Sequence, residues 1–158
     1  MNIAPRETAQ RNVHLFSDGF YNDLELDNVC RMLDEKVVDF SYDERSITIE
    51  FEIREWMVNP WHTLHGGMFA MCADMTTGAL SRILCDTYAP TVSLNVNYLK
   101  AAVMPDTLVI KAYAVHLGRT NAHFRTEVRS KKTGDLLVTT NAIHFVAGEK
   151  QSQKGGAK

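Results

Sequence analysis

The chain has 158 residues, 45% of them hydrophobic, and a formal net charge of -2. This length suits one domain whose core needs no disulfide staple. The slight acidic balance argues against a nucleic-acid binder, which carries a basic excess or stripe, and without a run of about 18 apolar residues no membrane helix is expected.

Residues 1–21 read as a mixed polar arm. Met1–Gln10 lacks an apolar core segment, and Glu7 and Asp18 do not suit a transit peptide. No secretory or targeting signal is therefore expected, and a cytoplasmic location is the expectation. Leu24–Leu33 fits a short helix with Leu26, Val29, Cys30 and Leu33 on one face. Lys36–Phe40 fits a short strand, with Asp43-Glu44 in the turn after it. In Ser46–Arg54, Ile47, Ile49, Phe51 and Ile53 alternate with Thr48, Glu50, Glu52 and Arg54, the pattern of a half-buried strand. Asn59–Gly67 holds a proline, two glycines and two histidines and reads as a loop. Met68–Leu84 is rich in Ala and Met and apolar on nearly every side, as a buried helix would be. Asp86–Pro90 ends it. Four strand-like runs follow at Thr91–Leu99, Thr107–Leu117, Ala122–Ser130 and Leu136–Phe145. The turn signals between them, Met104-Pro105-Asp106, Gly118-Arg119-Thr120 and Lys132-Thr133-Gly134-Asp135, predict an antiparallel meander. Residues 148–158 are polar and Gly/Lys-rich and read as a disordered tail. A sheet with one apolar helix has to wrap a face around it, so the expected class is α+β, with the folded domain over 22–147.

Between His65 and Arg82 the only charged residue is Asp74. A carboxylate on a buried helix is unfavourable without partners. Two readings fit: a structural anchor satisfied by nearby donors, or a working acid or base. Gly66-Gly67 stands where the helix begins. There the backbone offers unpaired N–H groups and partial positive charge, and glycine admits a ligand close to the backbone. That equipment suits an oxyanion hole; a turn that needs glycine explains the pair equally simply. Gly66 and Asp74 are eight residues apart, about 12 Å along a helix. One small reacting group cannot touch both on one chain. If they cooperate, the amide of one chain serves with the carboxylate of another, across a two-fold axis.

The stretch Asn59-Pro60-Trp61-His62-Thr63-Leu64-His65-Gly66-Gly67, continuing to Asp74, resembles the signature of hotdog-fold acyl-CoA thioesterases of the phenylacetate-pathway and thioesterase superfamily member 2 types. Ala89–Asn95 is similar to the family segment that contributes a serine or threonine, and Gly118-Arg119-Thr120 falls at its strand-turn-strand corner. The order of elements matches from about residue 22 to 147. The resemblance implies an antiparallel sheet wrapped around one long central helix, and hydrolysis of an acyl-CoA to free acid and coenzyme A. It implies that the Gly66 N–H binds the thioester oxygen and that Asp74 of the facing subunit acts as base or nucleophile. Ser93 would hold the water or the carboxylate, and Asn59 would orient the loop or contact the carbonyl. His65 would brace the loop or bind substrate, and Gly67, Arg119 and Thr120 would bind substrate. No cofactor or metal is implied beyond the coenzyme A of the substrate, and the expected partner is a second copy of the chain, with dimers pairing into tetramers. The family often has glycine where this chain has His62, whose side chain would reshape the pocket mouth or add a polar contact.

Other readings are weaker. His62 and His65 lack a third metal ligand nearby. Asp74 is followed by Met75-Thr76-Thr77-Gly78-Ala79, with no histidine, which disfavours a hotdog hydratase. A non-catalytic acyl-CoA-binding module is the alternative from another class. Strand parity sets Ser93, Asn95 and Asn97 opposite Val92, Leu94 and Val96, so Ser93 fits a plain strand hydroxyl as well as a catalytic one. Arg119, Arg125, Arg129, Lys131 and Lys132 either meet phosphates or form a solvated edge. Met57, Met68, Phe69, Met71 and Met75 either line an adaptable pocket or are core. The three cysteines, Cys30, Cys72 and Cys85, show no metal-ligand spacing and suit free thiols in a reducing compartment.

Overall fold

The period-2 runs and the apolar helix anticipated from the sequence are present in a computed structural model that describes residues 3–17, 29–87 and 89–147. In chain order the elements are α1 (Arg6–Ser17), α2 (Val29–Leu33), β1 (Lys36–Ser41), β2 (Ser46–Glu52), α3 (Gly66–Cys85), β3 (Thr91–Tyr98), β4 (Thr107–Leu117), β5 (Asn121–Ser130) and β6 (Leu136–Phe145). A 3-10 turn at Glu55–Met57 follows β2. The six strands form one antiparallel sheet in the order β1-β2-β4-β5-β6-β3. The α+β class is as expected: one long helix packs against one face of the sheet, touching β2 through β6.

The expected four-stranded meander is only partly present. β4, β5 and β6 form it, but β3 does not pair with β4; it runs beside β6 at the far edge. The segment between β3 and β4 is a long crossing, not a tight turn. Within it Ala102 accepts from the Leu64 N–H (2.9 Å), while Leu99 and Lys100 donate to the Leu137 carbonyl (2.9 and 3.0 Å). The peptide bond Met104–Pro105 is cis.

Alternation sets the core. Ile47, Ile49 and Phe51 of β2, Leu108, Ile110 and Ala112 of β4, and Phe124 and Val128 of β5 are buried facing α3. The helix answers with Phe69, Cys72, Leu80, Ile83 and Leu84. Thr126 and Thr140 are buried hydroxyls that satisfy one another at 2.8 Å. No helix among the described residues is long and apolar enough to cross a membrane.

The N-terminal arm differs from the expectation. Arg6–Ser17 is a helix that buries Ala9, Asn12 and Phe16. It packs over the C-terminal end of α3: the Ala4 N–H donates to the Leu84 carbonyl (2.6 Å), and the Asn12 amide donates to Asp86 Oδ1 (3.2 Å). Arg82 reaches the same Asp86 oxygen at 3.0 Å. The arm's apolar stripe is too thin to mark a helix alone, and tertiary packing supplies the difference. The expected helix Leu24–Leu33 is helical over Val29–Leu33; its earlier part and the expected disordered tail, 148–158, lie outside the described residues.

The cysteines are free; Cys72 and Cys85 are buried, Cys30 partly so. Burial pushes the Cys72 thiol up to about 12 and raises those of Cys30 and Cys85. Glu35, between α2 and β1, sits near Cys30 and Cys72, with its Oε2 buried and unbonded among the described residues. Burial, reinforced by the neighbouring Asp34 carboxylate, pushes Glu35 up from 4.5 to about 7. Between those two pH values the folded chain holds a proton there that the unfolded chain has lost. Stability therefore falls as pH rises through that window. In urea titrations, wild type should lose on the order of 2 kcal/mol relative to Glu35→Gln between pH 4.5 and 7. A difference that stays constant with pH would show the carboxyl to be solvated.

Candidate active site

The loop before α3 is built around Asn59. Its Oδ1 accepts from the backbone N–H groups of Trp61 (3.0 Å) and Thr63 (3.3 Å), and its Nδ2 donates to Thr63 Oγ1 (2.9 Å). This is an Asx turn, in which a short amide side chain replaces backbone partners. The Asn59 N–H donates to the Thr63 carbonyl at 2.8 Å, and Val58 bridges to Leu64. Asn59 therefore orients the loop. His62 lies at the loop tip with φ +59°.

His65 caps α3. Its Nδ1 accepts from the Gly67 N–H at 3.0 Å, and its carbonyl accepts from Met68 (2.9 Å) and Phe69 (3.4 Å). Gly67, expected to bind substrate, thus has its N–H engaged. The Gly66 N–H has no acceptor among the described residues. Tyr98, at the end of β3, closes over this point: its hydroxyl donates to the Gly66 carbonyl at 2.8 Å. A Cβ added at Gly66 would stand 3.3 Å from the Tyr98 ring. Glycine is used here because an aromatic ring lies against the backbone. Sequence reading had no signal for Tyr98 beyond its place in a strand.

Asp74 is half-buried in the middle of α3. Its Oδ1 accepts from Thr91 Oγ1 at 2.8 Å. Ser93 is exposed, on the face it shares with Asn95 and Asn97, and makes no bond to Asp74 among the described residues. The register shifts between Thr91 and Ser93: Thr91 pairs with His144, and Ser93 with Ile143. Simple alternation gives Thr91 and Ser93 the same face; this bulge breaks it and turns Thr91 toward the helix. Thr91 is the site residue that the sequence reading missed, since the bulge leaves no mark in the composition.

A buried layer supports the pair. Thr77 Oγ1 lies 3.0 Å from the Asp74 carbonyl and 3.0 Å from His144 Nε2. His144 Nδ1 lies 2.9 Å from the carbonyl of Ala89. A carbonyl only accepts, so Nδ1 carries the proton. His144 thereby ties α3 and β6 to the chain two residues before Thr91.

Gly118-Arg119-Thr120 forms the β4–β5 turn, with the Gly118 N–H donating to the Asn121 carbonyl at 3.0 Å. A Cβ at Gly118 would lie 2.7 Å from that oxygen, so the turn needs glycine. Arg119 and Thr120 are exposed. Their turn meets the end of β6, where the Val146 N–H donates to the Thr120 carbonyl (2.7 Å), whereas Gly66 lies near the end of β3 and the start of β6. The structure therefore does not bring Arg119 and Thr120 to Gly66 within one chain. Gly66 and Asp74 remain about 12 Å apart along α3. Among the described residues β3 pairs only with β6, and none of them covers its outer edge with another strand. Among the described residues, no group of three or more His, Cys, Asp or Glu side chains is arranged to hold a metal ion.

The thioesterase superfamily model matches residues 62–137. Acyl-coenzyme A thioesterase 13 of Mus musculus is 30% identical over 105 residues, which cover 65% of this chain and 74% of that protein. The chain belongs to the thioesterase superfamily, and its fold is the hotdog fold. Among solved structures it is similar to the E. coli PaaI protein from the phenylacetic acid degradation operon, with a TM-score of 0.75 at 16% identity over 92% of this chain and 97% of that one. It is similar also to smu.793 from Streptococcus mutans UA159, solved bound to acetyl CoA, with a TM-score of 0.68 at 23% identity over 80% and 94% of the two chains.

The Asn59 turn yields a stability prediction. Asn59→Ala removes three hydrogen bonds made by one side chain. It should destabilise the fold by about 2 kcal/mol. Urea denaturation reads this directly; a change below about 0.5 kcal/mol would show that the turn holds without it.

Proposed function

We propose that this protein hydrolyses acyl-CoA thioesters in two equivalent sites of a homodimer, each with Gly66 from one subunit and Asp74 from the other. Thioester hydrolysis accords with membership of the superfamily and with the likeness to acyl-coenzyme A thioesterase 13. The observation that carries the mechanism is the Gly66 N–H, without an acceptor among the described residues, at the positive end of α3. A thioester carbonyl held there has its oxygen polarised by the amide and the helix dipole. Asp74 has Oδ1 fixed by Thr91, which sets the carboxylate while Oδ2 stays unbonded among the described residues. The carboxylate takes a proton from water as the oxygen attacks the carbonyl carbon. The tetrahedral oxyanion rests on the Gly66 N–H. It collapses by breaking the C–S bond; coenzyme A leaves as thiolate and takes up a proton, and the acid is released. In this mechanism Thr91 performs the role the family resemblance gave to Ser93.

The shared site follows from the 12 Å separation along one helix. The outer edge of β3 suits a two-fold partner that extends the sheet. Pairing of dimers into tetramers leaves this arrangement intact. Arg119 and Thr120, at the opposite end of the sheet from Gly66, reach a shared site only from the partner, where Arg119 would meet coenzyme A phosphates.

Free-thiol release from a panel of acyl-CoAs tests the reaction. Asp74→Asn should lose about 10²–10⁴ in kcat while remaining folded. Tight acyl-CoA binding without wild-type turnover would replace this reading with the binding module. The shared site has its own test. Gly66 occupies the first helical position after an extended His65 (φ -63°, ψ 135°). Proline suits that position and deletes the N–H. Its Cβ would stand 3.3 Å from the Tyr98 ring, which must give by a few tenths of an ångström; with that shift, checked by circular dichroism, Gly66→Pro should fold and lose about 10²–10³ in kcat. Refolding it together with Asp74→Asn should restore about a quarter of wild-type activity, because half of the random dimers regain one of two sites. No recovery would place both groups of each site on one chain.

A further inference from the structure

Two glycines in succession, Gly66-Gly67, carry a large backbone freedom into the start of α3. A donor that polarises a carbonyl has to stand still while charge develops on the oxygen. The two peptide groups around Gly66 show how this is met. The His65 carbonyl accepts from Met68 and Phe69. The Gly67 N–H donates to His65 Nδ1 at 3.0 Å. The Gly66 carbonyl belongs to the first turn of the helix ladder and accepts in addition from the Tyr98 hydroxyl at 2.8 Å. Of the four polar groups only the Gly66 N–H lacks a partner among the described residues. The Gly66-Gly67 peptide is thus held at both ends, by Tyr98 on its oxygen and by His65 on its nitrogen. Tyr98 also acts through its ring. A Cβ on Gly66 would stand 3.3 Å from the ring Cζ and from the hydroxyl oxygen, so the ring lies against the glycine backbone. Phe69, buried and three residues along α3, meets that ring near edge-on, with centroids 6.3 Å apart at 69°. Tyr98 pairs with Val138 of β6, and the next two N–H groups, of Leu99 and Lys100, both donate to the Leu137 carbonyl. The ring is therefore carried on a pinned strand end.

We propose that Tyr98 is a positioning residue of the thioesterase site: its ring and hydroxyl clamp the Gly66-Gly67 peptide and so fix the direction of the one free N–H. This rests on the thioesterase reading above. A ground-state carbonyl accepts a hydrogen bond over a broad range of directions, whereas the oxyanion gains most from a donor already aimed at it. Loosening the clamp therefore costs kcat and leaves KM nearly unchanged. Tyr98 is 55% exposed, so water competes for its hydroxyl and that bond alone is worth a small factor. The ring carries most of the effect.

With fold checked by circular dichroism, Tyr98→Phe should lose about threefold in kcat, and Tyr98→Leu about thirtyfold, both with KM within about twofold. Lower stability with kcat per folded molecule unchanged, or a rise in KM alone, would overturn the role. Mixed refolding then locates the defect. Tyr98→Leu refolded with Asp74→Asn should return about a quarter of wild-type activity, because one site of each mixed dimer pairs an intact Gly66 half with an intact Asp74. Refolded with Gly66→Pro it should return none, since both changes damage the same half; recovery there would overturn the role. A last probe needs no turnover: a coenzyme A ketone in which methylene replaces the thioester sulfur. Binding to wild type should lower its carbonyl stretching frequency, and Tyr98→Leu should bind it equally well with a smaller shift. An equal shift in both overturns the role of Tyr98 alone. No shift in wild type removes the Gly66 donor, and the hydrolytic mechanism and the role of Tyr98 fall together.

Discussion

The burial of α3 against the sheet sets the distances on which the site depends. Twenty residues of helix lie across the strands, held by Phe69, Cys72, Leu80, Ile83 and Leu84. A helix cannot shorten, so Gly66 and Asp74 are kept apart by its rise. The sheet then brings one residue to each point: Tyr98 to Gly66 and Thr91 to Asp74. Both belong to β3, so a single edge strand registers the two ends of the candidate site. The geometry is rigid because it is carried by packed elements instead of loops.

Behind that strand lies a polar layer with little slack. His144 is 1% exposed and places its ring between Thr77 and the Ala89 carbonyl. Phe124 meets the ring edge-on at 5.2 Å. With Nδ1–H given to Ala89, Nε2 faces the Thr77 hydroxyl at 3.0 Å, and that hydroxyl donates to the Asp74 carbonyl. This couples the backbone of Asp74 to the start of β3.

How much of this was legible in the sequence differs by residue. The buried helix, six strands and α+β class follow from periodicity, because Ile47, Ile49 and Phe51, and the Ala/Met-rich run, have no competing pattern. Asp74 and Gly66 were visible because each is out of place: one charge among apolar residues, and glycines where a helix begins. The edge position of β3 was not visible, because alternation specifies faces and says nothing about neighbours. Thr91 was hidden by a bulge, which shifts parity without changing composition. The helix α1 was hidden by its polar surface: Ala9, Asn12 and Phe16 are buried only because α3 ends beneath them. Asn59 was legible as a motif residue, but its role inside the turn required the coordinates.

The burial of the thiols has a practical side. Cys72 and Cys85 are enclosed by the core, and all three thiols are pushed toward their protonated, unreactive form. A chromogenic disulfide reagent added to the folded protein meets little thiolate of the protein's own. Colour that develops during catalysis therefore belongs to the released coenzyme, and a slow protein-only background becomes a clock for how often the core opens.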